Sequence, residues 1–278
     1  MECENGFEKK YIETEFGKIF YFIKKPFEGK PTVVFLHGLS SNHTTWTEAM
    51  KKMNKLGLNS IALDMRGHGY SDKSKKRSIY KLPVFSKDIV KILKKENIAK
   101  YILIGYSFGG SIAIDYVSRY SDENLIGLVL VSTNYQSPIK YKKIGFLAYP
   151  YYILLHTAAF LLIWQKRKNY LYYEHGKFVG YLDSILNGFK TMPISINYWM
   201  LSEMVILNLK ENIKKIKTDT IIVNSSSDVF ISKKETEEMQ NFIPGSRVVW
   251  LNHNSHFLAT NYQEDVLDVI IDFIKKKV

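Results

Sequence analysis

Short, continuous apolar runs recur along the chain, and between them the apolar positions change to a three-to-four-residue repeat. Residues 32–37 read TVVFLH behind Pro31, and 59–63, 101–104, 125–131, 220–223 and 247–251 are runs of the same kind. Such runs, bounded by turn residues, suit strands buried on both faces. Residues 8–14 and 18–23 predict a strand pair about a turn at Phe16-Gly17, ahead of that series. Phe85, Ile89, Ile92 and Leu93 fall on one helical stripe, as do Val266, Ile270, Phe273 and Ile274. Ser232 with Glu235 makes a capping box and Asn261 with Glu264 resembles one, so a helix is expected to open at each. Strands alternating with helices predict an α/β fold, a mostly parallel eight-stranded sheet with helices on both faces. In such sheets ligands gather at the carboxyl ends of the strands.

One stretch departs from this rhythm. From about residue 136 to 209 aromatic, aliphatic and basic residues crowd together without a strand series. It predicts a helical cap insertion that divides the core into 1–135 and 210–278. Within it, residues 144–164 read IGFLAYPYYILLHTAAFLLIW, without a charge, between Lys140, Lys142 and Lys143 on one side and Lys166, Arg167 and Lys168 on the other. The length matches a membrane span, but Pro150, His156 and a position between two strands of one sheet argue against crossing. The run therefore predicts a cap whose apolar side roofs the carboxyl edge of the sheet, where a ligand would sit. Peripheral contact with a membrane through the cap is the alternative.

Composition narrows the field. The chain has 278 residues, 46% of them hydrophobic and 24% charged, enough apolar material for a large core, which excludes disordered and fibrous classes. The net charge is +12, yet only 5 of the 39 basic residues are Arg and the basic runs are scattered. Arg dominates base and phosphate recognition, so no nucleic-acid partner is expected. The single cysteine, Cys3, excludes an intrachain disulfide and a CxxC motif. The beginning, MECENGFEKK, lacks an apolar segment of signal-peptide type, and a cytoplasmic location is expected. The histidines show no metal-ligand spacing, so neither metal nor cofactor is expected.

The chemistry concentrates in a few loops. Gly105-Tyr106-Ser107-Phe108-Gly109-Gly110 follows the apolar run 101–104 and precedes a helical stretch. This is G-x-S-x-G in strand–turn–helix context, where a sharp turn presents Ser107 above the sheet edge as a nucleophile. Small residues two before and two after the serine let strand and helix approach. His37-Gly38-Leu39 follows another strand, and Asp64-Met65-Arg66-Gly67-His68-Gly69-Tyr70-Ser71-Asp72 a third. Together these motifs resemble the α/β-hydrolase superfamily over nearly the whole chain, and monoacylglycerol lipases and esterases with a cap insertion in particular.

The resemblance implies further roles. The residue after the His-Gly pair and the residue after the nucleophile would offer backbone N–H groups to an oxyanion hole, here Leu39 and Phe108. Arg66 and His68 would shape their loop. The order Ser, acid, His places the acid beyond the strand 220–223, where Asp228 is the only carboxylate; Asp219 lies at the wrong end of that strand. The alternative position after the sixth strand reads Ser132-Thr133-Asn134 and offers no acid. Of two histidines beyond the last strand, His256-Phe257 matches the family pattern, and His253 is expected to be a loop residue. A complete triad implies ester hydrolysis through an acyl-serine, with Phe146, Tyr151, Trp164 and Trp199 of the cap as candidate acyl-pocket residues and a small apolar ester as substrate. A carbon–carbon (diketone) hydrolase on the same triad and a slow or non-catalytic ligand receptor are the alternatives.

Overall fold

The computed structural model describes residues 3–4, 6–138, 145–163 and 190–278. Nine strands form one sheet: β1 (Cys3–Glu4), β2 (Phe7–Thr14), β3 (Gly17–Lys24), β4 (Thr32–Leu36), β5 (Asn59–Leu63), β6 (Tyr101–Tyr106), β7 (Leu125–Val131), β8 (Thr220–Ser225) and β9 (Arg247–Leu251). The spatial order is β1-β2-β3-β5-β4-β6-β7-β8-β9. The first four strands in that order pair antiparallel, and from β5 to β9 every pair is parallel. The eight expected strands are all present. The ninth, β1, has only two residues, too few to leave a pattern in the sequence.

The long helices among the described residues are α1 (Thr47–Lys55), α2 (Leu82–Lys95), α3 (Phe108–Tyr120), α4 (Ala148–Leu161), α5 (Ile194–Val205), α7 (Lys233–Phe242) and α9 (Gln263–Lys275). Two single turns, α6 (Lys210–Ile213) and α8 (Leu258–Asn261), lie between them. The strands read as unbroken apolar runs because successive side chains enter two different cores. Val34, Leu36, Leu103, Leu128, Leu130 and Ile222 pack with Phe85 and Ile89 of α2, Ile112 of α3 and Met239 of α7. Val33, Phe35, Ile102, Ile104, Val129 and Val131 pack on the other face with Met50 and Met53 of α1 and Ile270 and Phe273 of α9. Each fully buried Leu, Ile or Phe side chain contributes roughly 1.5–3 kcal/mol, so both sides of every central strand hold the sheet in register. The exception is β9, half-exposed along most of its length because it closes the sheet edge.

One helix start differs from expectation. Asn261 does not cap α9; it ends the short turn α8, and Tyr262 occupies the N-cap position without a side-chain bond. At α7 the expected cap is present, with Ser232 Oγ accepting from the Glu235 N–H at 3.1 Å.

The register brings the carboxyl ends of the parallel strands to one edge: Leu36 lies beside Gly105, Tyr106 beside Val131, Val131 beside Val223, and Ser225 beside Leu251. The insertion leaves the sheet after β7, and its two ends are tied together. Gln136 bridges Asn208, the Ser137 N–H donates to Leu207 O at 2.9 Å, and the Leu209 N–H donates to Tyr135 O at 2.7 Å. Within the insertion α4 packs on α5 through Ala148, Leu155 and Val205, joined by Tyr152, Tyr198 and Leu201.

Candidate active site

The turn from β6 into α3 contains one residue, Ser107, at φ 51° and ψ −114°. This positive φ is costly for a residue with a side chain, and the packing below enforces it. A Cβ on Gly105 would stand 2.6 Å from Gly109 O and 2.6 Å from Gly110 Cα, so the first turn of α3 lies directly against β6. Gly38 has a matching role in the neighbouring loop. A Cβ there would lie 2.9 Å from the Tyr106 ring and 3.7 Å from Ser107 Cβ, in the space beside the serine.

Ser107 Oγ lies 3.0 Å from His256 Nε2, and His256 Nδ1 lies 2.7 Å from Asp228 Oδ2. A carboxylate only accepts, so Nδ1 carries the proton and Nε2 presents its lone pair to the serine hydroxyl. The other oxygen of Asp228 accepts from the N–H groups of Phe230 at 2.7 Å and Ile231 at 3.1 Å. The Asp228 side chain is fully buried, and 12% of the His256 side chain is exposed. The rings of Phe230 and Phe257 stand edge-on to the imidazole at 5.0 and 5.9 Å. His253 is engaged elsewhere: its Nε2 lies 2.6 Å from Asp265 Oδ2, and its ring stacks on Tyr262 at 3.7 Å.

The loop after β4 is held by buried, neutral histidines. His37 donates from Nδ1 to Gly38 O at 2.7 Å and accepts the Met65 N–H on Nε2 at 3.0 Å. His68 donates from Nδ1 to Arg66 O at 2.9 Å and accepts the Ser40 N–H on Nε2 at 3.1 Å. Burial pulls the first down to about 4 and the second to about 3. Asp64 accepts from the His43 and Tyr70 N–H groups, each at 2.7 Å, and from the His43 ring at 2.8 Å. Burial opposes its charge, but the His43 contacts hold it down at about 2. Arg66 donates to Asp88 at 2.6 Å and to Thr14 Oγ1 at 2.8 Å. These contacts brace the loop after β5 on β2 and α2. Among the described residues, neither the Leu39 nor the Phe108 N–H finds an intramolecular acceptor. No three His, Cys, Asp or Glu side chains there converge as metal ligands.

The alpha/beta hydrolase fold family matches residues 31–259. The chain belongs to the α/β-hydrolase family. It is 32% identical over 141 residues to the AB hydrolase superfamily protein YisY of Bacillus subtilis, covering 51% of this chain and 49% of that protein. It is 28% identical over 176 residues to epoxide hydrolase 4 of Mus musculus, covering 63% of this chain and 44% of that protein. The matches thus span about half the length of these curated relatives. A solved structure, the esterase EaEST from Exiguobacterium antarcticum, shares the fold with a TM-score of 0.72 at 18% identity, covering 96% of this chain and 100% of that one.

In this α/β hydrolase the insertion residues scatter. Trp199 on α5 is 3% exposed and stacks on Tyr80 of the core at 6.0 Å. Phe146 and Tyr151 are 76% and 42% exposed, turned to the outside. Trp164 lies outside the described residues. The expected uncharged run contains a helix of only 14 residues, α4, about 21 Å long at 1.5 Å per residue. Among the described residues no helix is long and apolar enough to cross a membrane. Three polar residues that pattern reading missed, Ser40, Thr191 and Asn197, join the insertion to the loop after β4. Asn197 carries the one available signal, an amide that stands between Ile196 and the aromatic pair Tyr198-Trp199 in the sequence and is buried in the fold.

Proposed function

We propose that this α/β hydrolase cleaves carboxylic esters with an apolar acyl group, of monoacylglycerol lipase or carboxylesterase type, through an acyl-serine. The observation that carries the proposal is the unbroken line from Ser107 Oγ through His256 to the buried Asp228, with contacts of 3.0 and 2.7 Å. His256 takes the serine proton as Oγ attacks the acyl carbonyl, Asp228 stabilises the imidazolium, and the proton passes to the departing alkoxide. Water then attacks the acyl-serine with His256 again as base. The N–H groups of Leu39 and Phe108 receive the oxyanion, each worth about 3 kcal/mol in the transition state.

A serine at the elbow favours this reading over epoxide opening. Attack of Ser107 on an epoxide would leave an ether, which has no carbonyl for water to attack, so the enzyme would stop after one turnover. The reaction needs no cofactor, and the scattered lysines call for no nucleic-acid partner. α4 favours one further element, substrate met at a membrane surface. Its outer residues Tyr149, Leu154, Phe160 and Leu161 are 62–69% exposed, and it carries no charge. Apolar exposure of this kind suits an interface.

The test is turnover of p-nitrophenyl esters of graded chain length beside a diketone, with fluorophosphonate labelling of Ser107. Ester hydrolysis, rising with acyl length, is expected. Diketone cleavage without ester turnover would transfer the assignment to carbon–carbon hydrolysis, and failure of both would leave a receptor.

A further inference from the structure

The loop that offers the Leu39 N–H is closed by a four-residue turn, Gly38 to Ser41, with the Ser41 N–H donating to Gly38 O at 3.2 Å. Its third residue, Ser40, has φ 61°, in the left-handed region that this turn position normally gives to glycine. A serine stays there only where its surroundings hold it. Three contacts do so. The Ser40 N–H donates to His68 Nε2 at 3.1 Å, Thr191 Oγ1 donates to Ser40 O at 2.7 Å, and Asn197 Nδ2 donates to Ser40 Oγ. His68 belongs to the core. Thr191 and Asn197 belong to the insertion, 151 and 157 residues further along the chain.

We infer that Asn197 and Thr191 are positioning residues for the oxyanion hole, so that the docked insertion is part of the catalytic machinery as well as a cover over it. The inference rests on the ester-hydrolase reading and on Leu39 as an oxyanion donor. Fixing the peptides on either side of Ser40 fixes the direction of the Leu39 N–H next to them. A preorganised donor helps the transition state more than the bound ester, because the carbonyl oxygen gains its charge only there. His68 stays neutral and accepting across the working pH range, since burial holds it near 3.

α5 does not depend on these two bonds for its place. Trp199 stacks on Tyr80, Glu203 meets Arg77 at 3.2 Å, and Ile196 and Met200 press on the Gly67 backbone. Removing the Asn197 amide should therefore loosen the turn while the helix stays docked.

The test compares Asn197→Leu and Thr191→Val with wild type on a soluble short-chain ester and a long-chain ester. For Asn197→Leu, kcat should fall about 10- to 100-fold, below the loss of a whole oxyanion donor. KM should stay within about twofold and the factor should be the same for both esters. Affinity for a trifluoromethyl ketone, which adds to Ser107 and places an oxyanion in the hole, should fall by a similar factor. Ser40→Gly in the Asn197→Leu background should recover most of the rate, because glycine holds a positive φ without a clamp. An unchanged kcat would overturn the inference, as would a loss confined to KM or to the long-chain ester, either of which would make Asn197 an acyl contact. A wild-type protein that neither turns over esters nor labels at Ser107 would overturn the ester-hydrolase reading itself. A silent variant beside an active wild type strikes only the clamp.

Discussion

The carboxyl edge of the sheet and the outer face of α4 are built on opposite terms. At the edge polar side chains are buried and bonded. Asp228 has no exposed side-chain surface and accepts three hydrogen bonds, and both ring nitrogens of His37 and of His68 are used. On α4 the inner residues Ala148, Leu155 and Ala159 are buried while Tyr149, Leu154, Phe160 and Leu161 stand in solvent, and the helix bears no charge. Directional bonds in a low-dielectric setting fix atoms to within the tolerance that proton transfer needs. A smooth apolar face fixes nothing by direction. It gains free energy only when something apolar covers it. The proposed function assigns chemistry to the first region and encounter with an apolar substrate to the second.

The largest expected contrast is in turnover. Ser107→Ala and His256→Ala should each reduce kcat by about 10³- to 10⁶-fold, whereas His253→Ala, bonded to Asp265, should cost about tenfold or less. Substituting Tyr149 and Leu154 by Ser should leave hydrolysis of a soluble short-chain ester within about twofold. Kinetics on the purified variants check all four. A large loss in the α4 pair would end the separation of the two regions, and a larger loss at His253 than at His256 would transfer the base.

A smaller effect comes from a buried acid behind the triad. Glu235, fully buried in the first turn of α7, is pushed up to about 8 by burial, with the charges of Glu238 and Asp228 adding to the shift. Its folded value lies above the unfolded one, so the folded protein holds a proton that the unfolded chain releases. Its contribution to stability is complete below about 4.5 and is lost as pH rises towards 8, at up to about 1.4 kcal/mol per pH unit. Glu235→Gln should therefore be the more stable protein at pH 8 by roughly 2–4 kcal/mol, with the advantage shrinking to nothing near pH 4.5. Urea unfolding at several pH values measures it, and a constant difference between the curves would refute the buried-acid account.

The acid side sharpens the same point. His37 and His68 refuse, down to about 4 and 3, protons that the unfolded chain takes up near 6.5, so their contribution falls as pH drops. Asp88, raised to about 6 by burial, and Glu235 oppose this by gaining protons in the folded state. The opposing shifts should keep wild-type stability nearly level from about pH 6 to 4.5. Below about pH 4 the compensation is spent while His68 and Asp64, held at about 2, continue to lose. A loss of about 2 kcal/mol between pH 4 and 3 is expected from urea midpoints. A steady decline beginning at pH 6.5 would show that the histidines act uncompensated.

The two regions also differ in how far the sequence discloses them. Ser107 was readable because a strand, a one-residue turn and a helix leave their marks within six positions, from Gly105 to Gly110. Asp228 and His256 followed from chain order once the strands were placed. Arg66 was recognisable as a brace, but its partner Asp88 was not, since that carboxylate lies between Phe85 and Ile89 of a helical stripe and takes its role from Arg66, 22 residues away in the loop after β5. Asn261 was misread because a local pattern of cap type cannot show that the short turn α8 already uses the residue. The contact between Ser40 and Asn197 spans 157 positions, and no local spacing encodes it. For α4 the sequence showed apolarity without saying which side turns outward. Helical periodicity cannot resolve a helix that is apolar all round.

That outward side supplies the smallest and most discriminating effect. Contact with a bilayer would bury Leu154, Phe160 and Leu161, now 62%, 68% and 69% exposed. The lysines and arginine that flank the uncharged run in the sequence would each add about 1 kcal/mol on an anionic surface, a contribution that salt screens. The wild-type protein should float with anionic vesicles at low salt, float partly at high salt and float weakly with neutral vesicles. Leu154→Glu with Phe160→Glu should abolish flotation while hydrolysis of a soluble short-chain ester stays within about twofold, because neither side chain belongs to the bonded edge. If vesicles recover no protein at any salt, the membrane proposal falls, and α4 acts only through the inner residues Ala148 and Leu155 that pack it on α5. Leu155→Ala, rather than the outer double substitution, would then be the change to alter the preference between long and short esters, an effect that flotation cannot register and chain-length kinetics can.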